Sequence, residues 1–131
     1  MATYLLDTTV IIDAINEKKN RNAILIGLVE QGHILACCPI NVAEVYAGLR
    51  PKEEQKTAGL LRSLQLYPIT FPVAQLAGRL KRDYGHKGKT LTIPDAIIAA
   101  VALHYQLILI TDNPKDFPMP ALSFHRLPDY Q

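Results

Sequence analysis

The chain contains no tryptophan, only two cysteines, and little excess of either charge. The cysteines are neighbours, Cys37 and Cys38, and adjacent cysteines bridge only with strain. No cysteine and histidine spacing suits a zinc site, so the reading is two buried free thiols in a reducing cytoplasm. Fourteen Lys and Arg against twelve Asp and Glu leave +2, too little to argue nucleic-acid binding from bulk charge. Three Phe and six Tyr argue against a long stacking platform for single-stranded nucleic acid. No stretch reaches the ~20 apolar residues of a membrane span. The opening MATYLLDTTVIIDAI lacks a basic region and is interrupted by Asp7 and Asp13, so it reads as neither leader nor anchor. Repeats, low-complexity tracts and Gly-rich nucleotide loops are missing too.

What is there is ordinary globular composition, 49% hydrophobic and 20% charged. At this length a single core buries roughly 67% of the unfolded surface, so residues 1–131 are read as one domain. Short apolar runs at Thr3 to Leu6, His33 to Cys38 and Leu107 to Ile110 read as strands, with a weaker one over Leu122 to Leu127. Between them lie helical patterns: Thr8 to Ile15, Asn22 to Gln31, Asn41 to Leu49, Glu53 to Leu66, Val73 to Tyr84 and Pro94 to Tyr105. Continuous apolar runs such as LILI suit a parallel sheet covered on both faces. The expectation is a three-layer α/β/α domain with a small, mainly parallel central sheet. In such sheets, sites form beyond the carboxyl ends of the strands.

Acidic residues fall at those ends. Asp7 follows the first strand. Glu44 lies on a helix after the second, on a face whose neighbours, Ala47 and Gly48, are small. Asp95 opens a helix that is apolar almost all round. Asp112 and Asp116 follow the fourth run. Each has an ordinary explanation: Asp7 as an N-cap, Glu44 as solvated, Asp95 as a capping or dipole residue with Thr92, Asp112 and Asp116 as turn chemistry. Jointly they suggest carboxylates gathered on one small sheet. The usual relief of their repulsion is a hard divalent cation, Mg²⁺ or Mn²⁺, which can orient a water for attack on a phosphodiester.

The blocks LLDTTVIIDAI, INVAEVYAGL, TIPDAIIAAVA and LILITDNPKDF, in this order, resemble the signature blocks of PIN-domain ribonucleases. They are closest to the VapC toxins of VapBC toxin–antitoxin modules. The spacing is 37 residues from Asp7 to Glu44 and 51 from Glu44 to Asp95, and the resemblance covers nearly the whole chain. It implies a PIN-like fold and an Mg²⁺-dependent endoribonuclease, with Mn²⁺ as a substitute ion. Asp7, Glu44 and Asp95 become catalytic and metal-binding residues, with a fourth acid after the last core strand. That acid is assigned to Asp116, with Asn113 beside it and Asp112 in reserve. Thr9 and Thr111 match hydroxyl positions that orient carboxylates or the attacking water. The resemblance further implies cleavage of structured RNA (transfer or ribosomal), a VapB-type antitoxin partner, a homodimer, and residence in the cytoplasm with no membrane contact.

Cations for the RNA backbone are sought near the acids. Arg79, Arg82, Lys87 and Lys89 lead toward Asp95, with Gly85 and Gly88 making a loop of the second half of that stretch. Arg50 follows the Glu44 helix. Two other phosphate chemistries fit less well: a DxD phosphohydrolase needs an acid where Thr9 stands, and a receiver domain needs an acidic pair and a placed lysine. The remaining alternative is a non-catalytic PIN-like module that binds RNA or protein with a decayed site.

Overall fold

The computed structural model describes residues 1–128. Five strands form one sheet in the order β3-β2-β1-β4-β5, every neighbouring pair parallel. They are β1 (Thr3–Leu6), β2 (Ile34–Cys37), β3 (Gln65–Leu66), β4 (Ile108–Ile110) and β5 (Ser123–His125). Six helices connect them: α1 (Thr8–Ile15), α2 (Arg21–Glu30), α3 (Pro39–Ala47), α4 (Glu54–Ser63), α5 (Phe71–His86) and α6 (Ile93–Tyr105).

Strand alternation divides the core in two. Leu5, Ala36, Cys38 and Leu109 pack with α5 and α6 on one face. Tyr4, Leu6, Cys37 and Ile110 pack with α1, α2 and α4 on the other. The two cysteines are buried and unbridged, and belong to opposite cores. Helix α6 packs closely against α5 and buries Ala96, Ala99, Ala100 and Ala102 in the first of these cores, each at most 1% exposed. Among the described residues no helix is long and apolar enough to cross a membrane.

Most element ends shift by one or two residues from the sequence reading, and two differences change a connection. The helix expected to run to Leu66 ends at Ser63, because Gln65–Leu66 pair with Ala36–Cys37 as the edge strand β3. Gly85 lies inside α5, which continues to His86. Only Gly88 takes the left-handed conformation, at φ +84°, so the connection to α6 is shorter than expected.

From β1 the chain moves to β2 on one side, while β4 pairs on the other. The carboxyl ends of β1 and β4 therefore face a crevice at the point where strand order reverses.

Candidate active site

Asp7 stands at that crevice. Its backbone N–H donates to the Ile110 carbonyl at 2.9 Å, extending the ladder one residue past β1. It also N-caps α1. Both carboxylate oxygens are held: the Thr8 N–H donates to Oδ1 at 2.9 Å and the Thr111 hydroxyl to Oδ2 at 2.7 Å. The Asn113 N–H in turn donates to the Thr111 hydroxyl at 3.0 Å. One donor comes from α1 and the other from the end of β4, so Asp7 is fixed by two elements.

Thr8 links Asp7 to Glu44. Its hydroxyl donates to Glu44 Oε1 at 2.6 Å. Asn41 Nδ2 donates to the same hydroxyl at 3.0 Å, while Asn41 Oδ1 accepts the Cys38 N–H at 2.8 Å. Asn41 is fully buried.

Asp95 is half-buried in the first turn of α6. Thr92 caps this helix by accepting the Asp95 N–H at 3.2 Å. The capping role and membership of the acidic group coexist: the cap uses the Asp95 backbone, while the Asp95 carboxylate is hydrogen-bonded by the Thr92 side chain and also feels the acids of the crevice. Burial pushes the Asp7 carboxyl up; the hydrogen bonds from Thr111 and Thr8 oppose this, and the charges of Asp95 and Glu44 add to it. Burial also raises Asp95, opposed by Thr92 and reinforced by Asp116 and Glu44. Asp7 thus feels Asp95 and Glu44, and Asp95 feels Asp116 and Glu44. Asp116 is half-buried and ends a short 3₁₀ turn, Pro114–Asp116, after Asn113.

Three supporting assignments are revised by the geometry. The hydroxyl on Glu44 belongs to Thr8, whereas Thr9 is exposed and lines an adjacent cleft. Asp112 is bound to the buried guanidinium of Arg21 at 2.5 Å, so it is committed to a cation and is no reserve for the fourth acid. Arg50 is exposed and paired with Glu53 at 3.0 Å. Along α5, Arg79 and Arg82 are exposed, Arg82 pairing with Asp83 at 3.2 Å. Lys87 lies over the Tyr84 ring, 5.0 Å from its centroid, and Lys89 is half-buried. Lys81 donates to the Leu91 carbonyl at 2.5 Å, tying α5 to the approach to α6.

Thr8, Asn41 and Arg21 were missed from sequence. A signal existed for Asn41: it precedes Glu44 by three positions, the helical spacing that puts two side chains on one face.

A family model, described as PIN domain, matches residues 4–119. The chain belongs to the PIN-domain family. Among named relatives, this PIN domain is 28% identical over 115 residues to ribonuclease VapC19 of Mycobacterium tuberculosis, covering 88% of this chain and 92% of that protein. It is 34% identical over 85 residues to ribonuclease VapC10 of the same organism, covering 65% and 64% of the two chains. Its fold matches VapBC2 from Rickettsia felis, bound to a promoter DNA fragment, at TM-score 0.80 and 25% identity, over 94% of this chain and 97% of that one. It also matches a toxin–antitoxin complex from Klebsiella pneumoniae at TM-score 0.74 and 29% identity, over 90% and 92%. The relatives it matches by sequence are named VapC ribonucleases, and the three-layer parallel architecture expected from sequence is the architecture found.

Among the described residues no three Asp, Glu, His or Cys side chains form a ready ligand cluster. The donor set nevertheless suits Mg²⁺, which takes oxygen ligands and commonly keeps several waters beside one or two carboxylates. Asp7 and Asp95, mutually repelling and partly desolvated, are the pair whose charge such an ion would offset.

Proposed function

We propose that this PIN domain is the toxin of a toxin–antitoxin pair, a Mg²⁺-dependent endoribonuclease that hydrolyses a phosphodiester in structured RNA, transfer or ribosomal. The observation that carries the reading is the Asp7 carboxylate, clamped at both oxygens beside Glu44 and Asp95 at the switch point of the sheet. Asp7 and Asp95 would hold the ion, with Glu44 and Asp116 around them; when bound, it would polarise the phosphoryl group and lower the pKa of water. Thr111 and the Thr8 N–H keep Asp7 oriented. The Thr8 hydroxyl keeps Glu44 in the crevice, where its carboxylate can accept a proton from the attacking water.

Cleavage of transfer or ribosomal RNA in Mg²⁺ or Mn²⁺ tests this. Asp7→Asn, Glu44→Gln and Asp95→Asn should each abolish it while leaving the fold intact. Products should carry 5′-phosphate and 3′-hydroxyl ends, because a water and not the ribose hydroxyl attacks. Ends bearing 2′,3′-cyclic phosphate would overturn the mechanism.

An antitoxin partner is supported by a groove of about 510 Å³ between α2, α4 and the β2–β3 edge. Ile26 and Val29 are more than half exposed there. An amphipathic antitoxin segment would bury this face. A homodimer and a cytoplasmic location belong to the same reading.

A further inference from the structure

Beside the acidic crevice, on the β4–β5 side, lies a second cleft of about 650 Å³. This is within the ~300–1,000 Å³ range of clefts that hold small ligands. It shares Thr111 and Asn113 with the crevice. Its far wall carries Lys19, Phe124, His125 and Arg126. Arg21 and Asp112 also line it, so three permanent cations, Lys19, Arg21 and Arg126, face one carboxylate.

The cationic wall is built rather than merely exposed. Arg21 is 2% exposed and joins three segments: Nη1 donates to the Lys19 carbonyl at 3.3 Å, and Nη2 to Asp112 at 2.5 Å and the Pro128 carbonyl at 3.3 Å. That fixes the link between α1 and α2, the exit of β4 and the segment after β5 relative to one another. Lys19 is held at φ +54°, a conformation rare for a side-chain-bearing residue, and leans on Asp13 at 3.5 Å. Its side chain remains 42% exposed, so its other donors reach solvent. Arg126 is exposed and makes no ion pair among the described residues. Phe124, also part of the cleft lining, is 38% exposed, and the neighbouring His125 ring is braced edge-on against Tyr4 at 5.3 Å. Cations for phosphate beside an open aromatic face are the two elements that hold a single-stranded nucleotide.

We propose that this cleft binds the unpaired nucleotide adjoining the scissile phosphate, its phosphate on Lys19 and Arg126 and its base on Phe124. The proposal rests on the ribonuclease reading and adds to it the strand's path away from the carboxylates: over Asn113, toward β5, not along α5.

The test is fluorescence anisotropy with a fluorescein-labelled RNA hexauridylate, using the full chain in chelator so that binding is read without cleavage. Lys19→Ala with Arg126→Ala should weaken binding at least tenfold at low salt. The slope of log affinity against log salt should become shallower by about 1.4, two single-strand contacts at about 0.7 each. Phe124→Ala should weaken binding about fivefold or more, and Phe124→Tyr should restore it. Arg62→Ala, which removes a cation from exposed α4, should match wild type. Thermal melts check that each variant is folded, and Lys19 and Arg126 carry the test if Phe124→Ala is not. If the cleft variants bind as Arg62→Ala does while wild type cleaves RNA, the cleft assignment is wrong and the ribonuclease reading survives. If wild type neither binds the hexamer nor cleaves any RNA, both are wrong.

Discussion

Asn41 decides where the single proton of Thr8 goes. Its Nδ2 donates to the Thr8 hydroxyl at 3.0 Å, and its orientation is set because Oδ1 accepts the Cys38 N–H. The Thr8 oxygen is thus already an acceptor, and its proton is left for Glu44 at 2.6 Å. Thr8→Val keeps the shape and removes the hydroxyl. It should cost about 1–3 kcal/mol, because Asn41 Nδ2 is left buried without its acceptor. Cleavage should fall with it, while Thr8→Ser recovers both. Urea melts and cleavage rates of the two variants check this.

Asp95→Asn should raise the stability of the metal-free protein, the opposite of the usual effect of a mutation. Burial and the charges of Asp116 and Glu44 lift the Asp95 carboxyl above its ordinary value. The folded state therefore takes up a proton more readily than the unfolded chain. Stability falls as pH rises through the window between the unfolded value near 3.8 and the higher folded value, and the penalty is complete above it. The gain from Asp95→Asn should be largest at neutral pH and vanish toward pH 3. Thr92 caps α6 through the Asp95 backbone N–H, which the variant retains, and the Asn side chain keeps an oxygen to accept from the Thr92 hydroxyl. Thermal melts across pH in chelator measure the gain. Millimolar Mn²⁺ should stabilise wild type more than the variant. A lower melt for Asp95→Asn in chelator, with no Mn²⁺ response in either protein, would remove the metal site.

Arg21→Met should destabilise by roughly 3–5 kcal/mol, because it leaves Asp112 without its cation inside the protein. Adding Asp112→Asn should recover part of that loss. A double-mutant cycle from chemical denaturation reads the coupling.

Both thiols should be inert to alkylation in the native state at pH 8. Burial pushes Cys37 up to about 11 and raises Cys38 as well. Labelling with a maleimide should proceed only at the rate of unfolding and speed up in denaturant. Fast native-state labelling of either thiol would contradict the burial.

Ile26→Asp with Val29→Asp should leave RNA cleavage unchanged and abolish inhibition by the cognate antitoxin. Both residues lie in the apolar groove on the face of α2, away from the carboxylates. Titration of cleavage with antitoxin separates the two effects.

The strands and helices were legible because hydrophobic period and terminator residues are local. The runs TYLL and LILI are unbroken since both faces of a parallel sheet are buried, and Gly32, Pro39 and Pro94 mark element ends directly. The acids at strand and helix ends were legible for the same reason, since the ends themselves were. The β3 edge was not: Gln65 and Leu66 are a strand only because β2 offers them an unpaired edge, a partner nearly thirty positions away. Nor could local pattern choose Thr8 over Thr9, or assign Asp112 to Arg21. Two consecutive residues of a helix differ by 100°, and which of them meets Glu44 depends on how α3 packs across α1. The partner of Asp112 lies 91 positions earlier and reaches it only through the folded sheet. The sequence by itself determined the elements and the placing of acids at their ends. The tertiary structure decided which hydroxyls hold them and which cation is already paired, because those choices depend on distances between segments remote in the chain.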